Sequence, residues 1–134
     1  MLGLKQVHHI AIIVTDYAAS KAFYCDILGF ELISEVWREE RDSWKGDLAL
    51  NGQYVIELFS FPFPPARPSR PEACGLRHLA FSVENVENAV AHLEKHQVKL
   101  RTDTRRSLYR EALYFFQRSG RFCRLSCMSS KTCH

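Results

Sequence analysis

Two stretches of this chain repeat one another at a spacing of 69 residues, and that repeat restricts the fold more than any other feature. VHHIAIIV at 7–14 matches LRHLAFSV at 76–83, so that the same spacing carries Val14 onto Val83 and His9 onto His78. A supersecondary unit present twice buries its apolar face by packing copy against copy. Each copy opens on a β-branched or apolar run that reads as a strand. Helix signals follow in both. Asp16 stands at an N-cap position, Ala19, Ala22, Phe23 and Ile27 form an apolar stripe, and Gly29 is a C-terminal stop. In the second copy Asn85 caps a stripe of Val86, Ala89, Val90 and Leu93. Three strand candidates come after the first helix, at about 30–38, 46–51 and 53–61, with a turn at Asn51-Gly52. The unit is β-α-β-β-β. Two of them make an α+β domain of eight strands.

All five prolines lie between Pro62 and Pro71. Proline fixes φ and removes an amide donor, so this segment is an extended connector and no interior strand. The expected organisation is one domain over 1–134, with a first module at 1–61, the connector at 62–74 and a second module at 75–134. At 134 residues the chain can bury a core without disulfides or a structural metal. No apolar run reaches the roughly 20 residues that span a bilayer. The opening MLGLKQVHHI has no apolar signal-peptide segment, so the expected location is the cytoplasm, without membrane contact. Five cysteines, an odd number, argue against a disulfide framework. Cys123 and Cys127 alone lack the second pair that a zinc finger needs.

Three polar residues interrupt apolar strands. His9 shares a face with Ala11 and Ile13, and His78 with Ala80 and Ser82. Glu57 lies between Ile56 and Leu58 and shares a face with Val55 and Phe59. A buried lone carboxylate escapes its desolvation cost by a raised pKa, an ion pair or a metal. A single strand histidine is more often a hydrogen-bonded core residue than a ligand. Two at matched positions of a repeat, with a carboxylate, make a nitrogen/oxygen donor set suited to Zn, Ni, Fe or Mn. His8, His92, His96 and His134 read as ordinary surface or helix residues.

The stretch HHIAIIVTDYAASKAFYCDILGF resembles the opening of glyoxalase-type domains of the vicinal oxygen chelate superfamily. In those domains a strand histidine is followed five residues on by Val, then by Asp and a helix ending in Leu-Gly-Phe or Leu-Gly-Met. VIELF is similar to the family's fourth strand and GLRHLAFSV to its fifth, so the resemblance spans residues 1 to about 99. It implies paired βαβββ modules forming a cupped, partly open sheet around one divalent metal ion. The ligands it implies are His9, Glu57 and His78, with a further glutamate from the last strand. The activity it implies is that of a lyase or isomerase of the glyoxalase I (lactoylglutathione lyase) kind. There the metal acts as Lewis acid on two neighbouring oxygens and stabilises an enediolate, while a glutamate moves the proton. Glu57 is then a ligand first and a base second. The substrate is a small α-hydroxy-carbonyl or thiol adduct, such as a glutathione hemithioacetal, and relatives are commonly homodimers.

Other chemistries live on the same scaffold: extradiol dioxygenases, which typically lack the carboxylate equivalent to Glu57, epimerases and thiol transferases. Metal-free drug-sequestering members form a further class and usually lack the histidines. Phe59, Phe61, Phe63 and Trp44 are candidates to line a cleft or to fill the core. Arg38, Arg41 and Lys45 are candidates to meet an acidic substrate or to solvate a hairpin.

The last 35 residues depart from all of this. Residues 1–99 hold 10 basic and 13 acidic side chains, whereas 100–134 hold 8 and 2. A basic tail without helical spacing or an RNA-binding motif is not read as a nucleic-acid contact. The 69-residue spacing places the last-strand glutamate at Ser126, and the family's Asp-Pro-Asp-Gly turn is missing. Permitted codons for Tyr114 to Arg121, started one base later, read Thr-Phe-Phe-Asn-Asp-Pro-Asp-Gly. Those from the end of Cys123 to Lys131, started one base earlier, read Pro-Leu-Glu-Leu-Tyr-Glu-Gln and a stop. The expectation is therefore a tail read out of frame, an incomplete second module and an inactivated relative of an active parent.

Overall fold

The first strand ends where Asp16 turns the chain into a helix. Its carboxylate accepts the Ala19 amide at 3.0 Å from an extended backbone, which satisfies one of the donors that a helix start leaves open. Helix α1 (Tyr17–Ala22) loosens into a π-helical turn at Phe23–Ile27 and stops at Gly29, whose φ of +85° suits glycine. The structure, a computed structural model, describes residues 1–65, 71–72, 74–76, 79–98, 112–117 and 123–127. The chain divides into two compact units, Met1–Pro65 and Ala66–His134. No helix among the described residues is long and apolar enough to cross a membrane.

In the first unit β1 (Ile10–Val14), β2 (Glu31–Arg38), β3 (Ser43–Leu50) and β4 (Gln53–Ser60) form a sheet of order β1-β4-β3-β2. β1 runs parallel to β4, and the other pairs are antiparallel. β3 begins at Ser43, earlier than the expected position 46, because Asp42 in a left-handed conformation closes a 3-10 turn at Glu39–Arg41 and lets Trp37 pair with Trp44. Asn51 and Gly52 take φ of +52° and +77°, the two left-handed residues of a type I′ hairpin turn.

A regular hairpin from that turn sets Asp47 opposite Ile56. Instead the register shifts by one residue between Leu48 and Ala49, so that Leu48 pairs with Ile56, Asp47 with Glu57 and Ala49 with Tyr54. This β-bulge sorts the sheet into two unlike faces. One face carries Leu48, Ile56 and Leu58, each fully buried, and the core continues through Val14, Tyr24 and Phe30. Full burial of one such aliphatic side chain contributes about 1.5–3 kcal/mol. Trp44 belongs to this side, stacked on Tyr17 at 5.5 Å, and is no part of the other face. Tyr17 reaches across Gly46 to donate its hydroxyl proton to Glu35 at 2.8 Å, and Lys21 meets the same carboxylate oxygen at 2.8 Å.

The described part of the second unit holds β5 (Leu79–Ser82), α2 (Val86–Lys95), β6 (Ala112–Gln117) and β7 (Cys123–Cys127). Asn85 caps α2 by accepting the Asn88 amide at 2.9 Å, and Leu93 is its buried anchor. The sheet order is β5-β6-β7 with antiparallel pairs throughout. Among the described residues this copy is one strand short of βαβββ. Its opening strand also pairs antiparallel with the next strand, whereas β1 pairs parallel with the fourth.

A Cβ on Gly46 would overlap the Tyr17 hydroxyl. Gly46→Ala is expected to destabilise the protein by about 1–3 kcal/mol in urea unfolding. In a Tyr17→Phe background, where the overlapping oxygen is gone, the penalty should shrink. An equal penalty in both backgrounds would contradict this packing.

Candidate functional site

The second face of the first sheet carries the polar residues. Parallel pairing sets Ala11 beside Glu57, so His9, two residues earlier on β1's leading edge, projects on the same side as Glu57. His9 Nε2 lies 3.4 Å from Glu57 Oε2, with side chains 36% and 18% exposed. The pair is reachable from solvent and yet partly desolvated. The bulge brings Tyr54 onto this face as well. Its hydroxyl lies 2.8 Å from Asp47 Oδ1 and 3.0 Å from Glu57 Oε2. Lys45 Nζ sits 3.2 Å from both Asp47 oxygens.

Tyr54 has one proton for two carboxylates. Asp47, directly opposite Glu57 across the strand pair, is neutralised by Lys45 and takes the shorter contact with the phenol. Glu57 is left facing His9, with lone pairs to spare for a cation or a proton. The Tyr54 phenol is pushed well above its ordinary range, first by burial, then by its hydrogen bonds to Asp47 and Glu57 and by their charges. It therefore stays a donor at any physiological pH.

His9 is set from its other side. The Nδ1 atoms of His8 and His9 are 2.8 Å apart, so one donates and the other accepts. With the proton on His9 Nδ1, Nε2 presents its lone pair toward Glu57. The rings of His8, His9 and Tyr54 pack mutually at 5.0–5.3 Å and hold this orientation.

A nitrogen and an oxygen donor 3.4 Å apart suit a divalent cation, since two bonds of about 2.1 Å at a tetrahedral angle span that separation. Among the described residues no third His, Cys, Asp or Glu completes a ligand group with them. The third expected ligand, His78, lies outside the described residues, just before β5 begins at Leu79. Position 126, where the repeat calls for a last-strand carboxylate, is a serine within β7 paired with Tyr114. Sequence reading missed Tyr54, Asp47 and the orienting role of His8. Only the bulge unites the first two with Glu57, and no local signal in the sequence marks it.

The family model described as Glyoxalase/Bleomycin resistance protein/Dioxygenase superfamily matches residues 6–120. The chain is 84% identical over 102 residues to the uncharacterized protein YaeR of Escherichia coli, which covers 76% of this chain and 79% of YaeR. It is 59% identical over 103 residues to the uncharacterized protein YwkD of Bacillus subtilis, covering 75% and 80%. Among solved structures, a glyoxalase family protein from Enterococcus faecalis is 39% identical with a TM-score of 0.72, covering 91% of this chain and 96% of that one. The glyoxalase I of Leishmania major shares the fold at 21% identity and a TM-score of 0.62, covering 92% and 86%.

Two phenols, Tyr54 and Tyr17, are raised in the folded protein, Tyr17 by burial first and then by Glu35. A raised folded-state pKa contributes stability that is intact below the unfolded value of about 10 and is lost as pH climbs above it. Stability measured by urea unfolding is thus expected to hold up to about pH 10 and to fall as the pH rises further. Tyr54→Phe should flatten part of that fall and cost about 1–2 kcal/mol at pH 7. An unchanged alkaline slope in the variant would contradict the assignment.

Proposed function

The chain belongs to the glyoxalase/bleomycin resistance protein/dioxygenase superfamily, and from that premise we propose that it is built as a divalent-metal-dependent lyase or isomerase resembling lactoylglutathione lyase. The observation that carries this reading is the facing pair of His9 Nε2 and Glu57 Oε2 at 3.4 Å on the open sheet face. His9 and Glu57, with His78, are the residues that would hold the metal. The bound ion would supply Lewis-acid polarisation of two neighbouring substrate oxygens.

The chain's own groups supply the rest. Glu57 receives the proton that moves between adjacent carbons, and the Tyr54 hydroxyl, 3.0 Å from its Oε2, packs against that carboxylate. Lys45 and Asp47 hold Tyr54 in place. The substrate class is a small α-hydroxy-carbonyl adduct, with a glutathione hemithioacetal as the leading example. The setting is the cytoplasm and the assembly a homodimer. Extradiol dioxygenase chemistry fits less well, because a carboxylate stands at position 57.

The tail bears on whether this chain is itself active. We infer that residues from about 100 onward are read out of frame in the 3′ part of the coding sequence. The 84% identity to YaeR extends over 102 residues and leaves about a quarter of this chain outside the match, and composition changes near residue 100. With the permitted codons given above, restoring the frame returns a glutamate at position 125–126. Sequencing the 3′ third of the gene is expected to show single-base slips near codons 100 and 122, and an unaltered reading would refute this.

In the frame-restored protein, His9→Ala or His78→Ala is expected to remove most bound Zn, Ni or Mn, measured by elemental analysis after dialysis. Unchanged metal content would refute the ligand set. Glu57→Gln should lower kcat on a hemithioacetal of a small α-ketoaldehyde by about 10²–10⁴-fold or weaken metal binding. Full activity with full metal would reduce Glu57 to a structural acid.

A further inference from the structure

The open face continues past Glu57 into a cationic and aromatic patch that none of the roles above uses. Phe59 is two residues along β4 from Glu57 and on its face, about 7 Å away at the rise of a strand. Phe59 and Phe61 stack at 5.9 Å. The Arg38 guanidinium lies over both, at 4.8 and 5.5 Å from the ring centroids, and the Arg41 guanidinium lies 5.4 Å from Phe61. Arg38 Nη2 donates to the buried Ser43 hydroxyl at 2.7 Å, which fixes the plane of the guanidinium.

No carboxylate among the described residues pairs with Arg38 or Arg41. The acids of the adjoining turn are otherwise placed: Glu39 accepts the Trp37 indole N–H at 2.8 Å, on the far side of the sheet, and Glu40 and Asp42 are exposed. Lys45, the other cation of this face, is taken up by Asp47. Arg38 Nε is the buried side-chain polar atom that lacks a hydrogen-bond partner among the described residues. A guanidinium seated over two rings and fixed by Ser43, with no counter-charge among the described residues, is a preorganised donor for an oxyanion that reaches its terminal nitrogens.

We propose that Arg38, seated on Phe59 and Phe61 and assisted by Arg41, anchors a carboxylate or phosphonate group of the ligand whose other end reaches His9 and Glu57. The inference rests on the open-face site described above and adds the substrate's charge. The ligand is an organic oxyanion whose anionic group is separated from its reacting end by about 7–13 Å, the rise of two to four strand residues from Glu57 to Phe59 and Phe61. The same fork takes carboxylate and phosphonate, so the test uses both.

Isothermal titration of the full chain with pentanoate, butylphosphonate and the neutral pentanamide decides the matter. At least one of the two anions should bind, and the amide should bind at least about tenfold more weakly, since it lacks the charge-assisted bonds. Whichever anion binds tighter identifies the group that the fork prefers. Arg38→Gln should weaken anion binding about tenfold or more while Zn uptake is unchanged. Arg41→Gln, at an exposed position that leaves the fold intact, should weaken it less but measurably. Anion binding that survives both substitutions, or an amide that binds as tightly as the acids, would overturn the proposal. Should the wild-type chain bind pentanoate and no Zn, the metal reading fails and the oxyanion anchor stands.

Discussion

A one-residue slip in the pairing of β3 with β4 is the constraint on which the rest of the first unit depends. The Asn51-Gly52 turn starts a regular hairpin, and regular pairing would put Asp47 across from Ile56. Because side chains alternate with a period of two, that register would drive either a carboxylate into the core or Ile56 into solvent. The bulge beside Leu48 resolves the conflict. Leu48, Ile56 and Leu58 go to the helix side at full burial, and Asp47, Tyr54 and Glu57 come together on the other.

That separation lets one thin sheet do two incompatible things. The helix side is held by burial and by close fit, as the Tyr17 ring shows where it crosses Gly46. The open side holds charges that would be costly in isolation, and holds them cheaply because Lys45 neutralises Asp47 and one phenol lies between Asp47 and Glu57. The series runs from a cation through two carboxylates to a histidine, so its free end, the His9–Glu57 pair, is the place where an incoming cation gains most. Farther along the same face, Arg38 on its two rings repeats the pattern with the opposite charge and, among the described residues, without a carboxylate partner.

Much of this was legible in the sequence, and for local reasons. Asp16 and Asn85 cap helices, Gly29 ends one, and Asn51-Gly52 turns a hairpin, because each of these depends on a few adjacent atoms. His9 and Glu57 could be picked out as polar residues in apolar strands, and both stand on one face. What stayed hidden was anything that depends on register. Tyr54 by simple alternation belongs to the opposite side from Glu57, and Asp47 joins Glu57 only through the shifted register. Trp44 could be placed in a cleft only while its packing on Tyr17 was unseen. The second copy shows the same limit at larger scale, since its repeat motif fixes β5 and α2 but its strand order departs from that of the first.

The central claim is that the His9–Glu57 pair is one side of a metal site. The most direct measurement is anomalous scattering from crystals of the protein grown with Zn or Ni. A single strong peak is expected about 2.0–2.2 Å from both His9 Nε2 and a Glu57 carboxylate oxygen. A peak bound elsewhere, or ordered His9 and Glu57 still in mutual contact with no peak between them, would contradict it.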